Sequence, residues 1–231
     1  TTVTDGRDEL DAMAAGAHRL GHRYVAITDH SKALAMAKGL DETRALEHAA
    51  RIRALNGRFD GLTLLAGIEC DILPDGRLDL APDCLAELDL VIASVHSHFH
   101  QDESQMTDRV LRALECPWVD VLGHPTGRLL LKREPVRIDM EQVTTAAARY
   151  GVALKINCQV DRLDLNDTHA RAARDRGVRL TISTDAHSVT ALRNERWGDQ
   201  TARRAWDGPD DVLNTRELDQ FRASLRRNRQ T

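Results

Sequence analysis

Six short runs of β-branched and aliphatic residues recur along the chain with helical patterns between them, and this alternation limits the fold more than any other feature. The runs are Tyr24 to Thr28, Leu62 to Ala66, Leu90 to Val95, Val119 to Leu122, Val152 to Ile156 and Arg179 to Ser183. Each is too short for a helix and too apolar for a loop. Between them, sets such as Met106, Val110, Ala113 and Leu114, or Met140, Val143, Ala147 and Tyr150, place apolar residues on one helical face. Strand alternating with helix specifies an α/β fold, a parallel sheet with crossover helices that is either closed as a barrel or open and doubly wound. Ahead of the first run stands a helical pattern, Leu10, Met13, Ala14 and Ala17, with no strand before it. One strand of the repeat is therefore expected to be missing.

The polar residues after these runs form an unusual set: Thr28-Asp29-His30, Gly67-Ile68-Glu69, Ser94-Val95-His96-Ser97-His98, Gly123-His124-Pro125 and Thr184-Asp185-Ala186-His187. In a parallel α/β fold the C-terminal ends of the strands share one rim, where groups distant in sequence meet. Histidines and carboxylates converging there form the donor set of a zinc, manganese or iron site. Asp185 and His187, two apart, are expected to point the same way from an extended segment. Any one histidine after a strand is ordinarily a hydrogen-bonded rim residue, but accident does not account for the whole set. His18, His22, His48 and His169 lie in helical patterns and read as solvated face residues. His98 shares a side with His96 if the strand continues, which makes it a substrate-contact candidate.

A chain of 231 residues, 42% hydrophobic and 29% charged, suits one domain over 1–231 with a sizeable core. A formal net charge of -4 argues against coating nucleic acid by bulk positive charge and leaves a local basic groove open. Cys70, Cys84, Cys116 and Cys158 contain no Cys-x-x-Cys pair, so neither a zinc ribbon nor a disulfide framework is indicated. No apolar run approaches the length of a membrane span and no export signal opens the chain, so it reads as a cytoplasmic protein without a membrane partner.

At the rim motifs the sequence resembles the polymerase-and-histidinol-phosphatase (PHP) family. Ile27-Thr28-Asp29-His30-Ser31, Leu65-Ala66-Gly67-Ile68-Glu69, Leu73-Pro74-Asp75-Gly76, Ala93-Ser94-Val95-His96-Ser97, Leu122-Gly123-His124-Pro125-Thr126-Gly127-Arg128 and Arg162-Leu163-Asp164-Leu165 follow, in order, the C-terminal PHP domain of bacterial family X DNA polymerases. The resemblance implies a distorted seven-stranded β/α barrel with up to three divalent metal ions (manganese, zinc or iron) at the strand C-termini. It assigns Glu69, His96 and His124 to one metal, Asp5, His30 and His187 to a second, and Glu69 with Asp185 to a third. The third would be completed by two histidines of a strand that this chain lacks, so the domain reads as N-terminally truncated and that site as incomplete. Glu69, Asp185 and His187 would be the catalytic groups.

Lys155 stands where the related polymerase domains usually carry an acidic residue, and reads either as a change beside the metal ligands or as a surface substitution. Arg128, Arg162 and Lys32, close to ligand motifs, are candidate phosphate clamps. Arg222, Arg226, Arg227 and Arg229 read as decoration of an amphipathic helix or as contacts to a nucleic-acid backbone. The implied activity is metal-dependent phosphoester hydrolysis, on DNA 3′ ends in repair beside an upstream polymerase domain. The alternatives are a histidinol-phosphatase-type enzyme acting on small phosphate esters, and a PHP module kept as structure beside a polymerase.

Overall fold

In a computed structural model describing residues 1–229, the six expected strands are present: β1 (Tyr24–Ile27), β2 (Thr63–Asp71), β3 (Leu90–Ser94), β4 (Val121–Leu122), β5 (Ala153–Asn157) and β6 (Leu180–Ser183). They form one sheet in sequential order, every neighbouring pair parallel. Eight α-helices accompany them: α1 (Leu10–Arg19), α2 (Glu42–Ala54), α3 (Pro82–Ala86), α4 (Glu103–Glu115), α5 (Met140–Tyr150), α6 (Asp167–Asp175), α7 (Glu195–Ala205) and α8 (Leu218–Ser224). Sequence caps fix several helix starts: Asp41, Asp102, Asp139 and Asn166 each accept a backbone N–H of the first turn, and Asp102 with Gln105 completes a capping box.

The sheet is curled, because side chains from β1, β2, β3, β4 and β6 line a common cavity of about 170 Å³. Six strands are seen among the described residues, where the expectation was a seven-stranded barrel with its first strand missing from this chain, and β1 and β6 stand at the two ends of the ladder. Beside β6, Asn214 takes the part of a pairing partner, its amide bonding both Ile182 N (2.9 Å) and Ile182 O (2.7 Å).

Burial follows the two-residue period of the strands. Leu90 and Ile92 face inward with Leu65, Val121 and Ala153, and Leu213, Phe221 and Leu225 close this inner cluster. Phe221 stacks against Tyr24 at 5.1 Å. These partners sit early in their strands, so α8 plugs the N-terminal end of the curled sheet and leaves the C-terminal end for the site. The alternate residues, Val91 and Ala93, face the outer helices.

Two arginines bolt this plug in place, which corrects the reading of the C-terminal basic residues. Arg226 is buried and donates to the carbonyls of Leu114 (2.7 Å), Cys116 (2.8 Å) and Glu115 (3.2 Å), capping the C-terminus of α4. Arg227 pairs with Asp120 at 2.9 Å and also donates to the carbonyls of Trp118 and Leu88. Neither side chain is available to a nucleic-acid backbone; Arg222 is exposed, and the Arg229 side chain lies outside the described residues. Arg227→Ala strips the buried Asp120 carboxylate, 0% exposed, of its cation. It should cost about 3–5 kcal/mol in urea unfolding, whereas Arg222→Ala should stay within about 0.5 kcal/mol.

Candidate metal centre

Glu69 is the hub of the rim. It lies inside β2 and not after it, because this strand runs five residues past the expected run and changes partner on the way. Thr63 to Ala66 pair with β1, and Gly67 to Asp71 pair with β3. At the step only glycine fits: a Cβ on Gly67 would come within 2.8 Å of Thr28 Cγ2 and 3.0 Å of Leu90 O. Backbone bonds from Glu69 N to Asp29 O (3.0 Å) and from Ser31 N to Glu69 O (3.1 Å) then set His30 beside Glu69.

The Glu69 carboxylate is 2% exposed. Its Oε1 accepts from Ser94 Oγ at 2.6 Å and lies 3.0 Å from His124 Nε2 and 3.6 Å from His96 Nε2. Two groups of potential ligand atoms gather here, each within 4.8 Å: Asp5, His30 and His187, and His30, Glu69 and His96. His30 joins them, and His124 stands against Glu69 with its ring 5.1 Å from that of His96.

Asp185 belongs to neither group, although it lines the same cavity as Asp5, His30, Glu69 and His187. The expectation that it points with His187 fails, because β6 ends at Ser183 and Asp185 adopts a left-handed conformation, φ 52°. Its Oδ2 accepts from Asn157 Nδ2 at 2.7 Å and its Oδ1 lies 3.9 Å from Lys155 Nζ, while His187 Nε2 turns to Asp5 at 3.4 Å. Lys155 is 1% exposed, so it belongs to the site and is no surface substitution.

The electrostatics follow from these pairings. Burial alone would raise the Glu69 carboxyl, but the Lys155 cation and the adjacent His124 and His96 rings hold it well below the usual range. Burial opposes charging His96, yet Asp71 and Glu69 lift it to about 9. Asp5 does most to raise His187 to about 9. Desolvation pushes His124 down to about 4. Lys155 is raised, its burial outweighed by Asp185 and Glu69.

The residues fit a divalent cation on two observations. His30 and His187 turn Nε2 to Asp5 Oδ2 at 3.7 and 3.4 Å, and His96 and His124 turn Nε2 to Glu69 Oε1 at 3.6 and 3.0 Å, so four imidazole nitrogens and two carboxylates face one another. Asp71 Oδ1 holds His96 Nδ1 at 3.0 Å, which directs Nε2 into the cluster in the carboxylate–histidine pattern of metal centres. Imidazole and carboxylate together suit zinc, manganese or iron.

Sequence reasoning passed over Asp71, though its i+2 relation to Glu69 on an extended strand put both on one face. It also misread His48. This residue is buried, and its Nε2 meets Asp29 Oδ2 at 2.8 Å. Asp29 is held further by Thr4 Oγ1 (2.6 Å), and the hydrogen bonds from His48 and Thr4 work against its burial and keep it ionised. His18 is exposed as expected, whereas His22 and His169 are half-buried.

The candidate clamps differ from one another. Arg128 spends Nε on Arg162 O (2.8 Å) and Nη2 on Leu163 O, so it ties two rim loops together. Lys32 pairs with Glu42 at 2.7 Å. His98 is exposed beyond the end of β3, its ring beside that of His100, so it does not share a strand face with His96. Arg162 makes no side-chain hydrogen bond or ion pair among the described residues, and lies close enough to His124 and Lys155 to disfavour their charging.

The PHP domain family matches residues 1–159, and the chain belongs to that family. It is 42% identical over 228 residues to the DNA polymerase/3′-5′ exonuclease PolX of Bacillus subtilis, a match covering 99% of this chain and 40% of that protein. A probable phosphatase of Shewanella sp. (strain ANA-3) is 34% identical over 187 residues, 77% of this chain and 69% of the relative. Among solved structures, histidinol phosphate phosphatase from Lactococcus lactis, complexed with zinc, L-histidinol and phosphate, superposes with a TM-score of 0.59 at 15% identity, over 89% of this chain and 90% of that one. That likeness is one of fold. No helix among the described residues is long and apolar enough to cross a membrane.

The His48–Asp29 pair yields a test of the site's support. His48→Ala leaves the Asp29 carboxylate one hydrogen bond short in a buried position, and should lower stability by about 1–3 kcal/mol in urea unfolding. His100→Ala, on the exposed rim, should lie within about 0.5 kcal/mol of the parent.

Proposed function

We propose that the protein is a metal-dependent phosphoesterase that processes DNA 3′ ends, removing terminal nucleotides or blocking phosphates. The carrying observation is the buried convergence of His30, Glu69, His96 and His124 with Asp5 and His187 on one rim. When bound there, divalent ions lower the pKa of a coordinated water and neutralise phosphoryl and leaving oxygens.

The protein's own groups have separable tasks. Glu69, fixed by Ser94, faces both His124 and His96 through Oε1 and would be shared by neighbouring ions. Asp5, His30 and His187 form the outer ligand set, and Asp71 orients His96. Asp185, held by Asn157 and Lys155, closes the floor. Arg162 is the guanidinium free to meet a phosphate beside the scissile one; Arg128, engaged with loop carbonyls, acts by holding the Arg162 segment. Lys32 and His98 are exposed enough to meet a longer substrate farther out.

DNA is preferred over a small ester because the likeness to PolX runs nearly the whole length of the chain, which also suggests a polymerase domain in the same polypeptide. The probable phosphatase relative supports the second reading, a phosphatase of small esters.

With manganese supplied, kcat/KM for 3′-phosphorylated or 3′-recessed oligonucleotides should exceed that for p-nitrophenyl phosphate at one ionic strength, because remote binding energy comes only from the polymer. Equal or inverted values would favour the small-ester phosphatase. Glu69→Gln and His187→Ala should each lower both activities by about 100-fold or more, judged against the 10–100-fold cost of changing outer-shell partners of metal ligands. Arg162→Ala should weaken oligonucleotide turnover and flatten its salt dependence while sparing the small ester.

A further inference from the structure

Lys155 is the buried charge that the metal-binding reading leaves unused. It sits in β5, 1% exposed, and its ammonium is 3.9 Å from Asp185 Oδ1. Asp185 and Glu69 line one cavity, and the Lys155 cation favours the ionised form of both. Asp185 belongs to neither group of potential ligand atoms; its remaining oxygen is satisfied by Asn157. A buried carboxylate persists only when a cation or hydrogen bonds compensate it. At Asp185 the compensating cation is supplied by the chain.

We infer that the Lys155 ammonium takes the part of a further divalent ion beside Asp185, so that the centre takes two ions, one at Asp5–His30–His187 and one at Glu69–His96–His124, and no third. This rests on the reading of the cluster as a divalent-metal centre. An ammonium is a fixed single charge on a strand, with no vacant coordination position. It neutralises Asp185 permanently and repels any ion approaching that carboxylate. Lys155 is thus a positioning residue that sets how many ions the rim holds.

The test counts ions. Metal-stripped protein is titrated with Mn²⁺ or Zn²⁺ by calorimetry, the bound metal is measured by elemental analysis, and thermal unfolding is followed with and without metal. The parent should bind two ions per chain and Lys155→Arg, which keeps the charge, should match it. Lys155→Gln should bind one ion more, melt lower when metal-free, and gain more from metal than the parent does. If Lys155→Gln is unfolded without metal, refolding on adding Mn²⁺ supports the inference, and failure to refold at any Mn²⁺ concentration overturns it. An unchanged ion count with an unchanged metal-induced shift in Lys155→Gln overturns it as well. A parent that binds no ion removes the metal-centre reading itself, an outcome distinct from the others because it appears before any substitution is made.

Discussion

A carboxylate at 2% exposure inside a β-strand is tolerable only if its surroundings are built for it, and Glu69 sets that requirement for the rest of the rim. Ser94 donates to it directly, and His124 and His96 bring Nε2 to 3.0 and 3.6 Å. Room for the arrangement comes from Gly123, where a Cβ would fall 2.3 Å from Ser94 Oγ. Gly67 makes the matching concession on β2 itself, letting the strand step from β1 to β3 immediately before Glu69. The long β2 is therefore both the centre of the sheet and the support of its most costly side chain.

Guanidinium groups hold the rest of the rim by binding carbonyls. Arg109, 1% exposed on α4, reaches Leu73 O (3.0 Å), Ser97 O (2.9 Å) and Ile72 O, so the segments after β2 and β3 are tied together. Arg133 binds Gly127 O and packs over Phe99, while Arg128 anchors the loop after β5. Arg226 and Arg227 do the same work at the opposite end. The planar five-donor fork suits several carbonyls at once. It also explains why charge content alone misjudges this surface: many of its arginines are committed before any substrate arrives.

The strand order, the helix faces and the rim histidines were legible because they follow from period and position. Leu90, Ile92 and Val91 alternate as a strand should, and α1, α4 and α5 bury the apolar residues their spacing selects. Boundaries were less legible: the Gly67-Ile68-Glu69-Cys70-Asp71 segment offered no sign that β2 would continue through a polar residue with a change of partner. The fate of helical His48 was hidden for a similar reason. Its spacing is equally good for a solvated face, and only the tertiary approach of Asp29 buries it. Lys155 shows the limit most clearly, since a lysine in an apolar strand reads equally as a change beside the ligands or as a surface residue until the carboxylate that faces it is located.

Backbone conformation at two rim residues indicates which demand prevailed where local preference and site geometry conflicted. His124 and Asp185 both have positive φ, 24° and 52°, in a region where a side chain costs about 1–3 kcal/mol. Glycine would relieve the strain but would remove the imidazole against Glu69 and the carboxylate against Lys155. At Asp185 the turn has a further effect: it sends this carboxylate to the Lys155–Asn157 side while His187, two residues on, faces Asp5. An extended Asp-x-His would have put both on one side and left Lys155 buried without its nearest counter-charge. The left-handed turn and the buried lysine therefore depend on each other, and neither is intelligible from its own segment of sequence.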